Sequence, residues 1–177
     1  MPFTEHAEEL LEKVREFGLE ALIGKRAGSR YEPGRRSATW IKLKVVREQE
    51  FVIGGYTDPE GCRKYFGALL VGVYEGKKHL FCGRVGTGFT EKGLLSLFGD
   101  LNKIRTENCP FSNLPTTGRS RLVRGLTAAE MKHCHWVKPV MVCQIKFSEW
   151  TRDNQLRQPV FLGFREDKSP AEVIQEN

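Results

Sequence analysis

Apolar residues recur at helical spacing in two places along this chain, and elsewhere gather into short strand-like runs, one of which, at 41–44, alternates strictly with polar positions. The first helical stretch opens at Thr4, a fitting N-cap, with Glu5, Glu8 and Glu9 suited to the positive end of a helix. Leu10, Leu11, Val14 and Phe17 supply its apolar stripe and Gly18 its stop. The second, at about 90–105, sets Leu94, Leu95, Phe98, Leu101 and Ile104 on one side. Strands are expected at 20–25, 39–46, 51–57, 68–74, 79–85 and 140–150, with a last one near Phe161. Gly54 and Gly55 permit sharp coiling, while Asp58-Pro59-Glu60-Gly61 and Gly76 supply turn chemistry. Residues 27–38, rich in Gly, Ser, Arg and Pro, read as a loop, and a long Pro- and Arg-containing loop precedes residue 140.

From residue 51 onward the order is three strands, a helix and two strands, which is the order of an OB-fold barrel. The helix–strand–loop–strand unit before it has too little core to fold well alone, and reads as the remnant of a larger sheet. The expected fold is therefore mainly β with helices: a remnant over 1–47 and a five-stranded OB barrel over 48–177, joined near 47–49.

Composition adds partners and compartment. Forty per cent hydrophobic residues and eleven phenylalanines are ample for a core. The longest apolar run, at 68–74, is far short of the roughly 18 residues that span a membrane. With no signal-peptide pattern at the start, a cytosolic protein is expected. The net charge of +6 is uneven: residues 1–20 hold six acidic and two basic side chains, residues 21–50 eight basic and three acidic. Such a block attracts nucleic acid by releasing counterions, or is simply a solvated basic face. Five cysteines with no C-x-x-C spacing read as reduced, mostly buried thiols. His133-Cys134-His135 lacks the second cluster that a zinc site needs.

The densest chemistry lies in Trp40-Ile41-Lys42-Leu43-Lys44. Strand alternation points Lys42 and Lys44 one way and Ile41, Leu43 and Val45 toward a core. Adjacent ammonium groups repel unless an anion sits between them, and phosphate is the obvious guest, against the alternative of a solvent-facing strand edge. Upstream runs Glu20-Ala21-Leu22-Ile23-Gly24-Lys25, and near the far end Arg165-Glu166-Asp167-Lys168. In this order the three segments resemble the last three signature motifs of ATP-dependent DNA ligases, within the covalent nucleotidyltransferase superfamily. Ser29-Arg30-Tyr31-Glu32-Pro33-Gly34-Arg35-Arg36, Val85-Gly86-Thr87-Gly88-Phe89, Trp136-Val137-Lys138-Pro139, Phe147-Ser148-Glu149-Trp150-Thr151 and Phe161-Leu162-Gly163-Phe164 are similar to the bacterial end-joining, ligase D-like type. Two departures stand out. The family's nucleophile motif, Lys-x-Asp-Gly, does not occur, since Lys25-Arg26-Ala27-Gly28 lacks the aspartate; and Ala21 stands where the family usually has glycine. The chain thus resembles the back half of such an enzyme, not expected to be active alone.

The resemblance implies a reaction through lysyl-AMP and DNA-adenylate, with ATP as AMP donor and Mg²⁺ (or Mn²⁺) as cofactor, in DNA repair and recombination. It implies that Glu20 helps hold the cation and that Lys42 and Lys44 contact the α-phosphate. It also implies that Arg165, Asp167 and Lys168 orient the departing pyrophosphate. Asp167 cannot favour polyphosphate directly, so it either holds Arg165 or orients a cation. Lys25 closes the first segment, but alternation places it opposite Glu20, so twist or a bulge is needed to bring both into one pocket. Trp40 either stacks on a base or, as favoured here, packs under the loop. Gly86-Thr87-Gly88 is better explained as a tight turn than as a phosphate loop. Arg35, Arg36, Arg119 and Arg121, with Arg124, are candidates for backbone contacts with nicked or broken duplex DNA. The expected partners are DNA, the absent N-terminal half of the adenylation domain and end-joining repair proteins. The alternative is a free-standing OB module for single-stranded nucleic acid.

Overall fold

The computed structural model describes residues 7–17, 19, 21–35, 37–115 and 125–176. It divides into two compact units, Met1–Arg47 and Glu48–Asn177.

In the first unit, helix α1 (Ala7–Glu16) leads into a hairpin of β1 (Ala21–Lys25) and β2 (Trp40–Lys44). The Val14 side chain is buried. Phe17, expected on the same stripe, is 76% exposed because it lies beyond the last helical residue, where Leu19 N–H turns back to the Val14 carbonyl at 2.9 Å. The core expected beneath β2 is likewise missing among the described residues: Val45 is buried, but Ile41 and Leu43 are 59% and 40% exposed. A two-stranded ribbon has no layer of its own to cover that face. Thr4 and Gly18 lie outside the described residues.

The second unit contains β3 (Arg47–Thr57), β4 (Leu69–Glu75), β5 (Lys78–Val85), α2 (Glu91–Lys103), β6 (Arg105–Thr106), α3 (Ala128–Met131) and β7 (Cys134–Phe147). A short pair, β8 (Glu149–Trp150) and β9 (Leu156–Arg157), and then β10 (Val160–Phe164) complete it. The main sheet runs β10-β7-β3-β4-β5, with β6 added to β7. The path curls back on itself: Phe161 N–H donates to the Thr87 carbonyl at 2.9 Å, the Thr87 hydroxyl donates to the Pro159 carbonyl at 3.2 Å, and the Phe89 and Phe161 rings stack at 4.7 Å. This is the OB fold, and Gly86-Thr87-Gly88 is the turn at its seam. A side chain on Gly88, whose φ is +95°, would press on the backbone of Phe161.

Two boundaries and one helix face differ from expectation. Residues 47–49 are strand rather than linker, tied down by Gln49, whose amide donates to the Ile174 carbonyl at 2.8 Å and accepts from Glu176 N–H at 3.2 Å. β7 begins at Cys134 rather than 140, because Trp136 and Val137 are buried and pair with β6. On α2, which Thr90 caps by accepting from Gly93 N–H at 3.1 Å, Leu97 and Leu101 are buried while Leu95 is 54% exposed.

The barrel wall is buried on both sides. Leu69, Val71 and Val73 of β4 face the main core with Phe51, Leu97 and Ile145, while Leu70 joins Phe81, Phe111, Leu126 and Trp136 in a second cluster. Phe111 seats its ring against two glycines of neighbouring strands. A Cβ on Gly54 would lie 2.7 Å from Phe111 Cε2, and one on Gly72 2.9 Å from Phe111 Cε1. Asn113 holds the same segment to β5: its side chain accepts from Phe81 N–H at 2.7 Å and donates to the Phe81 carbonyl at 3.1 Å. Between Phe111 and Tyr74, with ring centroids at 4.5 and 4.9 Å, lies the buried His79.

Candidate functional site

The hairpin of the first unit gathers its lysines by register. Lys25 pairs with Trp40, Ile23 with Lys42 and Ala21 with Lys44, and directly opposed residues of an antiparallel pair share a face. Lys25 therefore stands on the face of Lys42 and Lys44, while Glu20, with which it was expected to share a pocket, lies outside the described residues. Its ammonium sits 4.1 Å from the centroid of Trp40, within cation–π range, and Tyr31 covers the same indole at 5.4 Å. Trp40 is thus packed under the loop. That loop is closed by Arg26 N–H donating to the Thr39 carbonyl at 2.8 Å. It walls a hollow of about 300 Å³ that includes Arg30, Tyr31, Arg35 and Trp40.

In the second unit, Arg165, Asp167 and Lys168 form one cluster. Arg165 N–H donates to the Val142 carbonyl at 3.0 Å, which extends the β10 pairing by one residue and fixes where the side chain starts. One edge of the guanidinium, Nε and Nη2, donates to the two oxygens of Asp167, both at 2.9 Å. The other edge, Nη1, donates to Glu50 Oε1 at 3.0 Å and to Gln144 Oε1 at 3.2 Å. Lys168 Nζ donates to the second Glu50 oxygen, also at 3.0 Å. The Arg165 fork holds the Asp167 carboxyl down at about 2, and the same contact raises Arg165. Of the two roles open to Asp167, holding Arg165 is the one this contact supports.

Sequence reasoning missed Glu50. It stands on β3, more than a hundred residues from its cations, and its side chain is only 13% exposed. Its one local signal is position: strand alternation puts it on the face opposite Phe51, a fully buried core residue. Gln144, the other acceptor of the Nη1 edge, stands on β7. Glu20, Arg36, Arg119, Arg121 and Arg124 lie outside the described residues.

The remaining candidates find structural partners. Arg105 Nη2 donates to His135 Nδ1 at 2.8 Å, which leaves Nε2–H to donate to Asp58 at 2.6 Å. Among the described residues no group of three or more His, Cys, Asp or Glu is placed to hold a metal ion. All five cysteines are free; burial pushes Cys82 up to about 12 and raises Cys143 as well, while Cys62 is exposed. Among the described residues no helix is long and apolar enough to cross a membrane.

Residues 62–168 match the family described as ATP dependent DNA ligase C terminal region. The chain belongs to the ATP-dependent DNA ligase family. Residues 2–44 match a second member description, ATP dependent DNA ligase domain. The chain is 39% identical over 176 residues to the multifunctional non-homologous end joining protein LigD of Pseudomonas aeruginosa, covering 98% of itself and 20% of that protein. The crystal structure of the ligase domain of M. tuberculosis LigD is similar at TM-score 0.65 and 40% identity, over 94% of this chain and 50% of that one. A mycobacterial DNA ligase D complexed with ATP is similar at TM-score 0.60 and 38% identity, again over 94% and 50%. The chain therefore spans about a fifth of the length of the full-length LigD relative, and corresponds to the C-terminal portion of the ligase domain.

Proposed function

We propose that this chain forms the C-terminal part of the catalytic core of a DNA ligase that joins nicked or broken duplex DNA at the expense of ATP. Residues 1–47 contribute the end of the adenylation domain and residues 48–177 the OB domain. A Lys-x-Asp-Gly lysine, borne by the preceding half of the ligase domain, accepts AMP and passes it to a DNA 5′-phosphate. The observation that carries the reading is that each matched segment holds a built cluster of cations: Lys25, Lys42 and Lys44 on one hairpin face, and Arg165 with Lys168 after β10.

Phosphoryl transfer is catalysed mainly by positioning and charge neutralisation. Lys42 and Lys44 act as point charges on the α-phosphate, which stays with the nucleotide. Lys25, held over Trp40, supports the positive field of that face. The Arg165 fork suits phosphate oxygens through paired hydrogen bonds, and together with Lys168 it takes the departing pyrophosphate. Glu20 is the candidate ligand for Mg²⁺ or Mn²⁺, which, when bound, neutralises phosphate charge; one carboxylate plus phosphate oxygens and water satisfies such an ion. Arg35, Arg36, Arg119 and Arg121 contact the DNA backbone. End-joining repair proteins are the partners that the LigD resemblance suggests, in the cytoplasm of a bacterium.

The test is a chimera in which this chain replaces the matching half of the M. tuberculosis ligase domain. It should form a covalent adduct with labelled ATP and seal nicked duplex DNA, while the isolated chain should form none. A folded chimera that neither adenylates nor seals, or an adduct on the isolated chain, defeats the proposal.

A further inference from the structure

We infer that Glu50 is a built-in stand-in for polyphosphate: its carboxylate occupies the place between Arg165 and Lys168 that phosphate oxygens take, and ligand binding displaces it. This rests on the pyrophosphate role proposed for those two cations. The geometry separates two kinds of contact within one cluster. Asp167 grips the Nε/Nη2 edge of Arg165 with both oxygens, a two-point contact that fixes the plane of the guanidinium. Glu50 instead divides its oxygens between two cations, one on Arg165 Nη1 and one on Lys168 Nζ, each at 3.0 Å. A phosphate group with several oxygens can reproduce that bridge. The Asp167 grip leaves Arg165 oriented while the Nη1 edge changes partner, and Gln144 at 3.2 Å supplies a neutral acceptor that keeps this edge aligned.

Charge gives the bridge a threshold. Arg165, Lys168, Asp167 and Glu50 sum to zero, so a singly charged anion gains little by displacing Glu50. A di- or triphosphate brings enough charge and enough oxygens to outcompete one carboxylate. Glu50 therefore acts as a positioning residue that holds two flexible cations side by side and sets the class of anion admitted, favouring polyphosphate over monophosphate.

The experiment titrates inorganic pyrophosphate, and separately orthophosphate, into the full 177-residue chain by calorimetry at fixed ionic strength. The wild-type chain should bind pyrophosphate more tightly than orthophosphate. Glu50→Gln, which keeps the shape and removes one negative charge a few ångströms from the ligand, should tighten pyrophosphate about tenfold and narrow the preference over orthophosphate. Glu50→Asp, which keeps the charge, should stay near wild type. A gain in affinity is not what loss of structure produces. In the wild-type chain the carboxyl carbon resonance of Glu50 should move with pyrophosphate and saturate at the same dissociation constant, a readout that needs no variant. Binding that is abolished by Arg165→Ala yet unchanged or weakened by Glu50→Gln, with a stationary Glu50 resonance, overturns the inference and spares the pyrophosphate role. Pyrophosphate that binds neither wild type nor Glu50→Gln, or that binds equally to Arg165→Ala and Lys168→Ala, overturns that role and the inference with it.

Discussion

Replacing Phe111 by alanine tests the claim that the barrel wall is held from outside as well as inside. The ring is 4% exposed and lies against Gly54, Gly72, His79, Phe81 and Trp136, so its loss empties a closed seat and costs about 3–5 kcal/mol. For a unit of this size that lowers the melting temperature by roughly 10–15 °C. A second readout comes from His79. Burial holds its pKa at about 4, and hydrogen bonding to the backbone of Val52 and Gly72 offsets only part of the effect. The folded protein keeps His79 neutral, whereas the unfolded chain takes up its proton as pH falls below about 6.5. Stability from this group is therefore complete above about pH 6.5 and is lost down to pH 4, in total about 3 kcal/mol. Phe111→Ala admits water to the imidazole and moves its pKa back toward 6.5, so the variant should be less stable at pH 7.5 yet lose less on acidification. Urea melts at pH 7.5 and 4.5, with the His79 ring protons followed by NMR titration, measure both quantities. Gly54→Ala, which pushes the same ring off its seat, should cost about 1–3 kcal/mol alone and add little to Phe111→Ala, because the two share one cavity. A stability–pH curve that runs parallel to wild type in Phe111→Ala would refute the assignment of His79's burial to that ring.

In the chimera, Arg165→Ala should block self-adenylation and largely spare sealing of pre-adenylated nicked DNA, whereas Lys42→Ala should impair both by roughly ten- to hundredfold; equal losses in Arg165→Ala would place it in the sealing step too. The isolated chain should bind duplex DNA weakly, with little sequence preference and an affinity that falls steeply with salt; a flat salt response measured by anisotropy would argue against phosphate contacts. Glu130, whose carboxyl is held at about 2 by Thr127 N–H first and then by Arg84, contributes stability that is present above pH 4.5 and lost as pH falls toward 2. Glu130→Gln should flatten that part of the acid-unfolding curve, and a variant with an unchanged slope would show that the cap carries no such linkage.

The order of elements was legible because the barrel strands are short apolar runs that end in recognisable turns, as at Gly76, whose φ is +60°. The lysine pair was legible because a strand of five residues leaves no doubt which side chains share a face. What escaped depends on contacts distant in sequence. The hairpin register, which brings Lys25 to Trp40, is set by the pairing of β1 with β2 and is invisible to either strand alone. The burial of Leu97 rather than Leu95 follows from how α2 rolls against the barrel. Gly54 was read as a point of coiling, and the register does shift between Ile53 and Gly55, but its lack of a side chain also makes room for a ring more than fifty residues away. Glu50 was missed because an isolated acid has no motif until its cations arrive beside it.

The doubly buried wall also sets an order of events in time. Amides of β4 lie between β3 and β5 and are shielded from water on both faces, so their exchange with solvent deuterium waits for the whole unit to open. β10 sits at the end of the sheet path, pairs with β7 through a register shift between Phe161 and Gly163, and meets the far end of the barrel at Phe161. Its amides should exchange before those of β4, through openings that leave the wall intact. Arg165 leaves directly from this strand, so the charged cluster is tethered to the end of the sheet path rather than to its shielded middle. A change of partner at Arg165 therefore need not wait for the barrel to open.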